Sequence, residues 1–173
     1  DALQCAHDHG VVHRDLKPEN VFLVQRRGRE HFVKLVDFGI AKLRGAGGTG
    51  RTQAGFIVGT PEYMAPEQCD DGAIDARTDV YALGVIAFEL ATGRLPFLGH
   101  SVTQLLLSHL REKPPRPSQI APVDPALERV ILRALEKDPA ARFQDMASFA
   151  DALRALPPAA PRAAAIPIAP QAP

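Results

Sequence analysis

The chain has 173 residues, 46% of them hydrophobic, which suits one domain of ordinary size with a buried core. Its 20 basic and 20 acidic side chains cancel to a formal net charge of zero, so overall charge favours neither nucleic acid nor an anionic membrane as a partner. Two cysteines, Cys5 and Cys69, allow at most one bridge, lack metal-type spacing and suit a reducing cytosol.

In chain order, "DALQCAHDHG" reads as the closing turns of a helix stopped by Gly10, so the chain is expected to begin inside an element. "HRDLKPEN", His13 to Asn20, follows, and Pro18 forbids continuing helix there. "VFLV" and "FVKLVDF" are β-branched and aromatic runs separated by the charged "QRRGREH", which predicts a β-hairpin. From Gly39 to about Pro66 no periodicity appears, and a loop of that length in a domain is usually functional. Inside it, "GAGGTG", Gly45 to Gly50, matches G-x-G-x-x-G letter for letter. Neither an opening helix nor a V-A-I-K-like strand follows it, so it reads as a flexible loop rather than a phosphate cradle.

Helices then take over. "TDVYALGVIAFELATG" is apolar nearly all round, with Thr78 or Asp79 near its start and Gly93 after its end, which predicts a buried central helix. Its apolar run is too short to span a bilayer and carries Glu89, and no signal pattern precedes it, so a soluble segment is expected. "VTQLLLSHLRE" is amphipathic. "DPALERVILRALEKD" offers Asp124 as N-cap and Pro125 at the first helical position, with Leu127, Val130, Ile131, Ala134 and Leu135 on one face. "QDMASFADALRAL" predicts a last amphipathic helix. The expected fold is mostly α, with one small hairpin and about five helices. From Pro157 on, the Pro/Ala-rich "PPAAPRAAAIPIAPQAP" reads as a disordered linker, residues 157–173.

The chemistry concentrates at two places. Asp15, Lys17 and Asn20 bring a carboxylate, an ammonium and an amide into one short loop, and "VDFG" delivers Asp37 at a strand end. A carboxylate with a carboxamide oxygen suits a hard cation such as Mg²⁺, phosphate oxygens and waters completing its shell. His7, His9 and His13 have an H-x-H-x₃-H spacing, but they straddle a helix end and read as core or surface histidines. Taken alone, Asp79 could favour a helix macrodipole, and Glu67 and Arg142 could be exposed and unpaired.

With these residues in view, the sequence resembles the C-terminal lobe of a eukaryotic-type protein serine/threonine kinase of the bacterial kind, from about Asp1 to Leu156. It matches H-R-D-L-x-x-x-N at His13 to Asn20, D-F-G at Asp37 to Gly39 and A-P-E at Ala65 to Glu67. "GTPEYMAPE", the Asp79 helix and Arg142 in "DPAARF" are similar to further landmarks of that family, in the right order.

The resemblance implies ATP-dependent phosphorylation of serine and threonine hydroxyls on protein substrates, with ATP and Mg²⁺ or Mn²⁺ as cofactors. Asp15 would orient the acceptor hydroxyl and take its proton, and Lys17 would reach the γ-phosphate. Asn20 and Asp37 would hold the metal ions, and Phe22 would lie beneath the adenine. Thr60 would contact Asp15 and Lys17. Lys17 also favours Ser/Thr over Tyr specificity, since tyrosine kinases usually carry patterns such as "AARN" or "RAAN" there. His13 and Phe38 would belong to a packed column aligning the lobes, Glu67 would pair with Arg142, and Asp79 would accept backbone amides of the catalytic loop.

On the same resemblance "GAGGTG" falls in the activation segment, where Thr52, and after it Thr49, would be phosphorylated and would pair with Arg14. The family's glycine loop, strand lysine and helix glutamate belong to an N-terminal lobe that this sequence lacks. A fragment is therefore expected, with weak ATP binding and little or no transfer by the isolated chain. A cytoplasmic location is expected, as part of a membrane-anchored kinase or free, with no membrane contact from this segment. The alternative reading is a non-catalytic kinase-like docking module.

Overall fold

In a computed structural model, which describes residues 2–26, 29–38, 59–70 and 72–157, helix α1 (Ala2–Asp8) ends in a Schellman turn. Val11 N–H donates to Ala6 O and Gly10 N–H to His7 O, both at 2.9 Å. Gly10 has φ +73°, a conformation that glycine adopts without a Cβ penalty. The chain then crosses an extended loop, makes a 3-10 turn at Pro18–Asn20 and enters the hairpin.

Strands β1 (Val21–Arg26) and β2 (Arg29–Leu35) pair antiparallel, Val21 opposite Leu35 and Arg26 opposite Arg29, with an irregularity between Val24 and Arg26. They run into the charged stretch expected to connect them. Backbone pairing does not need apolar side chains on a ladder that faces solvent. β2 stops two residues before Asp37, and Val36 N–H donates to Asn20 O at 3.1 Å, closing the base of the hairpin onto the 3-10 turn.

Beyond the predicted glycine loop, which lies outside the described residues, the helical body begins. A 3-10 turn at Pro61–Tyr63 leads into the short helix α2 (Pro66–Cys69). Helix α3 (Ala76–Thr92) is the central element, burying Val80, Tyr81, Ala82, Val85, Ile86 and Phe88. It starts earlier than expected: its N-cap is Asp75, whose side chain accepts from Arg77 N–H at 2.9 Å, rather than Thr78 or Asp79. Those two lie inside the first turn and are buried, so their side chains are used elsewhere. Gly93, at φ +76°, ends α3.

Helices α4 (Val102–Arg111), α5 (Pro125–Ala134) and α6 (Met146–Arg154) are capped by Ser101, Asp124 and Asp145. Asp124 accepts from Ala126 N–H and Leu127 N–H with Pro125 leading the helix, as the sequence predicts. Ile131, Ala134 and Leu135 are fully buried against α3. α6 packs on α3, α5 and α1, while α4 packs on α2 and on the Pro61–Tyr63 turn. The described residues thus form a mostly helical unit of six α-helices and one hairpin. The helix beyond the expected five is α2, too short to leave a period in the sequence. No helix among them is long and apolar enough to cross a membrane.

Candidate active site

The site is built on a buried carboxylate. Asp79, on the first turn of α3 and 0% exposed, accepts from His13 N–H at 2.8 Å through Oδ2 and from Arg14 N–H at 2.9 Å through Oδ1. His7 Nε2, from α1, lies 2.7 Å from the same Oδ2. Gln68 Nε2 donates to Arg14 O at 2.8 Å. Arg14, with φ 65°, is thus held on both sides by hydrogen bonds from separate elements.

This anchorage turns the next residues outward. Leu16 goes into the core at 1% exposure, leaving Asp15 and Lys17 half-buried at the surface. Lys17 Nζ lies 3.9 Å from Asp15 Oδ2 and donates to Thr60 Oγ1 at 3.0 Å, joining the loop to the segment before the Pro61–Tyr63 turn. Asn20 is buried and its Nδ2 donates to Asp15 O at 2.9 Å, which commits the amide nitrogen and leaves the carboxamide oxygen as an acceptor. A shallow surface depression is lined by Arg14, Asp15, Thr60, Tyr63, Met64 and Gln68, among others.

The strand end comes in from the other side. His13 is fully buried, its Nε2 is 3.1 Å from Val36 O, and its ring stacks at 4.7 Å and 42° on Phe38. Asp37, between them, is exposed with φ 54°. Phe22, on β1, is 49% exposed. The three histidines face different partners: His7 meets Asp79, His13 meets Val36, and His9 Nδ1 lies 2.7 Å from Cys5 O.

Glu67 and Arg142 form a bidentate pair, both bonds at 2.8 Å, with the arginine side chain 0% and the glutamate 7% exposed. Thr78 Oγ1 also donates to Glu67 Oε1 at 2.8 Å. Burial, and after it the Glu67 charge, pushes the nearby Cys69 thiol up to about 12, so it stays protonated. Tyr63 donates to Glu89 Oε2 at 2.7 Å, and burial, then this bond, raises its phenol well above the ordinary value. Thr52 and Thr49 lie outside the described residues.

Sequence reasoning passed over two supports of the site. His7 reads from the sequence as a core or surface histidine, and Gln68, which follows "GTPEYMAPE" directly, has no role assigned by it. Their partners, Asp79 and Arg14, are 72 and 54 positions away in the chain.

A loop carboxylate, lysine and amide thus hang from a buried helix aspartate, and an Asp-Phe strand end packs on the loop histidine. The chain belongs to the protein kinase domain family, whose model matches residues 1–153. It is 56% identical over 155 residues to the serine/threonine-protein kinase Pkn1 of Myxococcus xanthus, covering 89% of this chain and 22% of that protein. It is 48% identical over 160 residues to the serine/threonine-protein kinase pkn3 of the same organism, covering 90% and 29%. To the serine/threonine-protein kinase PknB of Mycolicibacterium smegmatis it is 41% identical over 155 residues, covering 88% and 24%. The chain therefore spans between about a fifth and a third of the length of these relatives.

Proposed function

We propose that the protein carrying this chain is an ATP-dependent serine/threonine protein kinase and that this chain supplies its phosphoryl-transfer centre. The observation that carries the reading is the Lys17 Nζ to Thr60 Oγ1 bond of 3.0 Å beside the Asp15 carboxylate. It ties a cation beside a carboxylate to the segment leading to the Pro61–Tyr63 turn. The relatives' names point the same way and lend nothing to the docking-module alternative.

In this reading Asp15 accepts a hydrogen bond from the serine or threonine hydroxyl of a protein substrate, orients it and takes its proton at a carboxylate oxygen. Lys17, held by Thr60, offsets negative charge developing on the transferred group. The donor set fits a divalent cation: Asn20 has its nitrogen committed and its oxygen available, and Asp37 presents a carboxylate at the surface. Among the described residues no group of three or more His, Cys, Asp or Glu could hold a metal alone, so Mg²⁺ or Mn²⁺ would rely on phosphate oxygens and water for its remaining ligands. ATP, bound with that cation, supplies the phosphoryl group and its activated leaving group. Phe22 offers apolar surface to the adenine, and a separate N-terminal lobe, as in the family, would cover the other side.

Regulation through a phosphorylated Thr52, or Thr49, pairing with Arg14 belongs to the same reading, as does a cytoplasmic location for this segment. The test is phosphate transfer to a protein substrate by the full-length protein. Asp15→Asn should lower kcat by about 10²-fold or more, the scale expected of a lost general base. Absence of transfer by the unaltered protein, or normal transfer by Asp15→Asn, would reject the assignment.

A further inference from the structure

Below the Pro61–Tyr63 turn, three polar side chains from distant parts of the chain meet in a buried relay. Tyr81, on α3, and His109, on α4, are both 0% exposed, and the Tyr81 oxygen lies 3.0 Å from His109 Nδ1. Lys137, just after α5, donates its Nζ to that same tyrosine oxygen at 3.1 Å, to His109 O at 2.6 Å and to Ser108 O at 3.4 Å. The ammonium also sits 4.3 Å above the Phe97 ring. All three of its protons are thereby used.

The proton inventory fixes the relay's direction. An ammonium can only donate, so the tyrosine oxygen accepts from Lys137, and the acceptor within reach of the tyrosine's own proton among the described residues is His109 Nδ1. The imidazole is then the neutral form with its hydrogen on Nε2. Burial, then the Lys137 charge, lowers the His109 pKa to about 4, which keeps that form at neutral pH. Burial, then Arg142, lowers Lys137 to about 8, which still leaves it mostly protonated there.

His109 Nε2 is buried and has no hydrogen-bond partner among the described residues. The group that favours a proton on this ring is the backbone of Glu62, in the turn on which α4 packs. That turn follows Thr60 directly, and Thr60 holds Lys17. A buried donor that lacks a full partner is drawn toward the nearest carbonyl that can satisfy it.

We propose that His109 is a positioning residue: the Lys137–Tyr81–His109 relay presents the Nε2 hydrogen to the Glu62 backbone and holds the Thr60–Tyr63 segment in place on the acceptor side of the site. The role rests on the kinase reading above for its catalytic consequence, but the restraint on the turn stands independently of catalysis.

The experiment uses the full-length protein with Tyr81→Phe, Lys137→Met, His109→Leu and His109→Gln, each checked for folding by its melting temperature. Tyr81→Phe removes a single oxygen, so it keeps the test open if His109→Leu does not fold. Two quantities are read: KM for the protein acceptor against KM for ATP, and hydrogen exchange at the Tyr63 and Met64 amides, whose bonds to Thr60 O and Pro61 O define the turn. Loss of one buried hydrogen-bond link should raise acceptor KM and speed this exchange by about five- to tenfold, with ATP KM within about twofold of the unaltered protein. His109→Gln, whose amide can offer an N–H near the Nε2 position, should recover most of both. Unaltered exchange and acceptor KM in the folded Tyr81→Phe and Lys137→Met proteins would overturn the proposal, as would an equal rise in both KM values. If the unaltered protein transfers no phosphate the kinase reading falls, and the exchange rates still decide whether the relay restrains the turn.

Discussion

Arg14 and Asp37, on either side of the candidate site, are the two non-glycine residues with left-handed backbones among those described, at φ 65° and 54°. Such a conformation costs on the order of 1–3 kcal/mol and persists only where its surroundings impose it. At Arg14 the imposing groups are identifiable: Asp79 takes the amide and Gln68 binds the carbonyl. Asp79 uses both oxygens on backbone donors, Oδ2 for His13 and Oδ1 for Arg14. An asparagine has one acceptor oxygen, so in Asp79→Asn one of these amides would face an NH₂ group. The unsatisfied buried donor should cost about 1–3 kcal/mol of stability, measurable by denaturant unfolding. With Asp15 as the proposed general base, the strained turn aims it, and phosphate transfer by the full-length protein should fall by about tenfold or more, since small misplacements of reacting groups are expensive. Asp151→Asn on α6, an exposed member of an i,i+3 pair with Arg154, is the control and should change neither.

At the scale of elements, α3 and α5 approach closely, and Gly84 makes it possible. A Cβ at that position would lie 2.8 Å from Ala134 Cβ and 3.3 Å from the Ala134 carbonyl carbon. Gly84→Ala should therefore destabilise by about 1–3 kcal/mol through overpacking, even though alanine is the better helix former. A normal or raised melting temperature would show that the helices can part freely. α5 itself was legible in advance, because Asp124, Pro125 and one apolar face each state the same element independently. The start of α3 was not. Arg77 and Thr78 are polar, so the apolar period begins only after the helix does, and the capping Asp75 lies outside the run that drew attention. The hairpin was legible as a pair of apolar runs, while the ends of its strands were not, since pairing there continues through charged residues. In the site, the residues within the short motifs could be located from local pattern. The relay of Tyr81, His109 and Lys137 could not, because His109 sits in a helix that reads as amphipathic and its partners are 28 positions away on either side.

The helical body and the site are joined through Arg142, which is fully buried and whose donors are all used. Nε bonds to Glu136 O at 2.7 Å, Nη1 to Glu67 Oε1 at 2.8 Å and Arg77 O at 3.0 Å, and Nη2 to Glu67 Oε2 at 2.8 Å and Lys137 O at 3.0 Å. One side chain thus links α2, the first turn of α3 and the chain leaving α5. Two buried charges do not by themselves argue for stability, since their desolvation opposes their attraction. Removing one of them is a different matter, because Glu67 would keep its charge in the interior without its bidentate partner, with Thr78 still donating to it. Arg142→Ala should cost on the order of 3–5 kcal/mol. For a unit of this size that corresponds to a fall in melting temperature of roughly 10 °C. Arg142→Lys should recover little, because an ammonium cannot reproduce a planar fork with five donors. Arg154→Ala, which breaks an exposed pair with Asp151, should shift the midpoint by about 1–2 °C at most. Since α2 follows the Pro61–Tyr63 turn and packs on α4, the Arg142→Ala protein should also show faster amide exchange from Tyr63 to Cys69 before it unfolds as a whole. Equal melting shifts for Arg142→Ala and Arg154→Ala would mean that the pair does not hold α2 to the helical body.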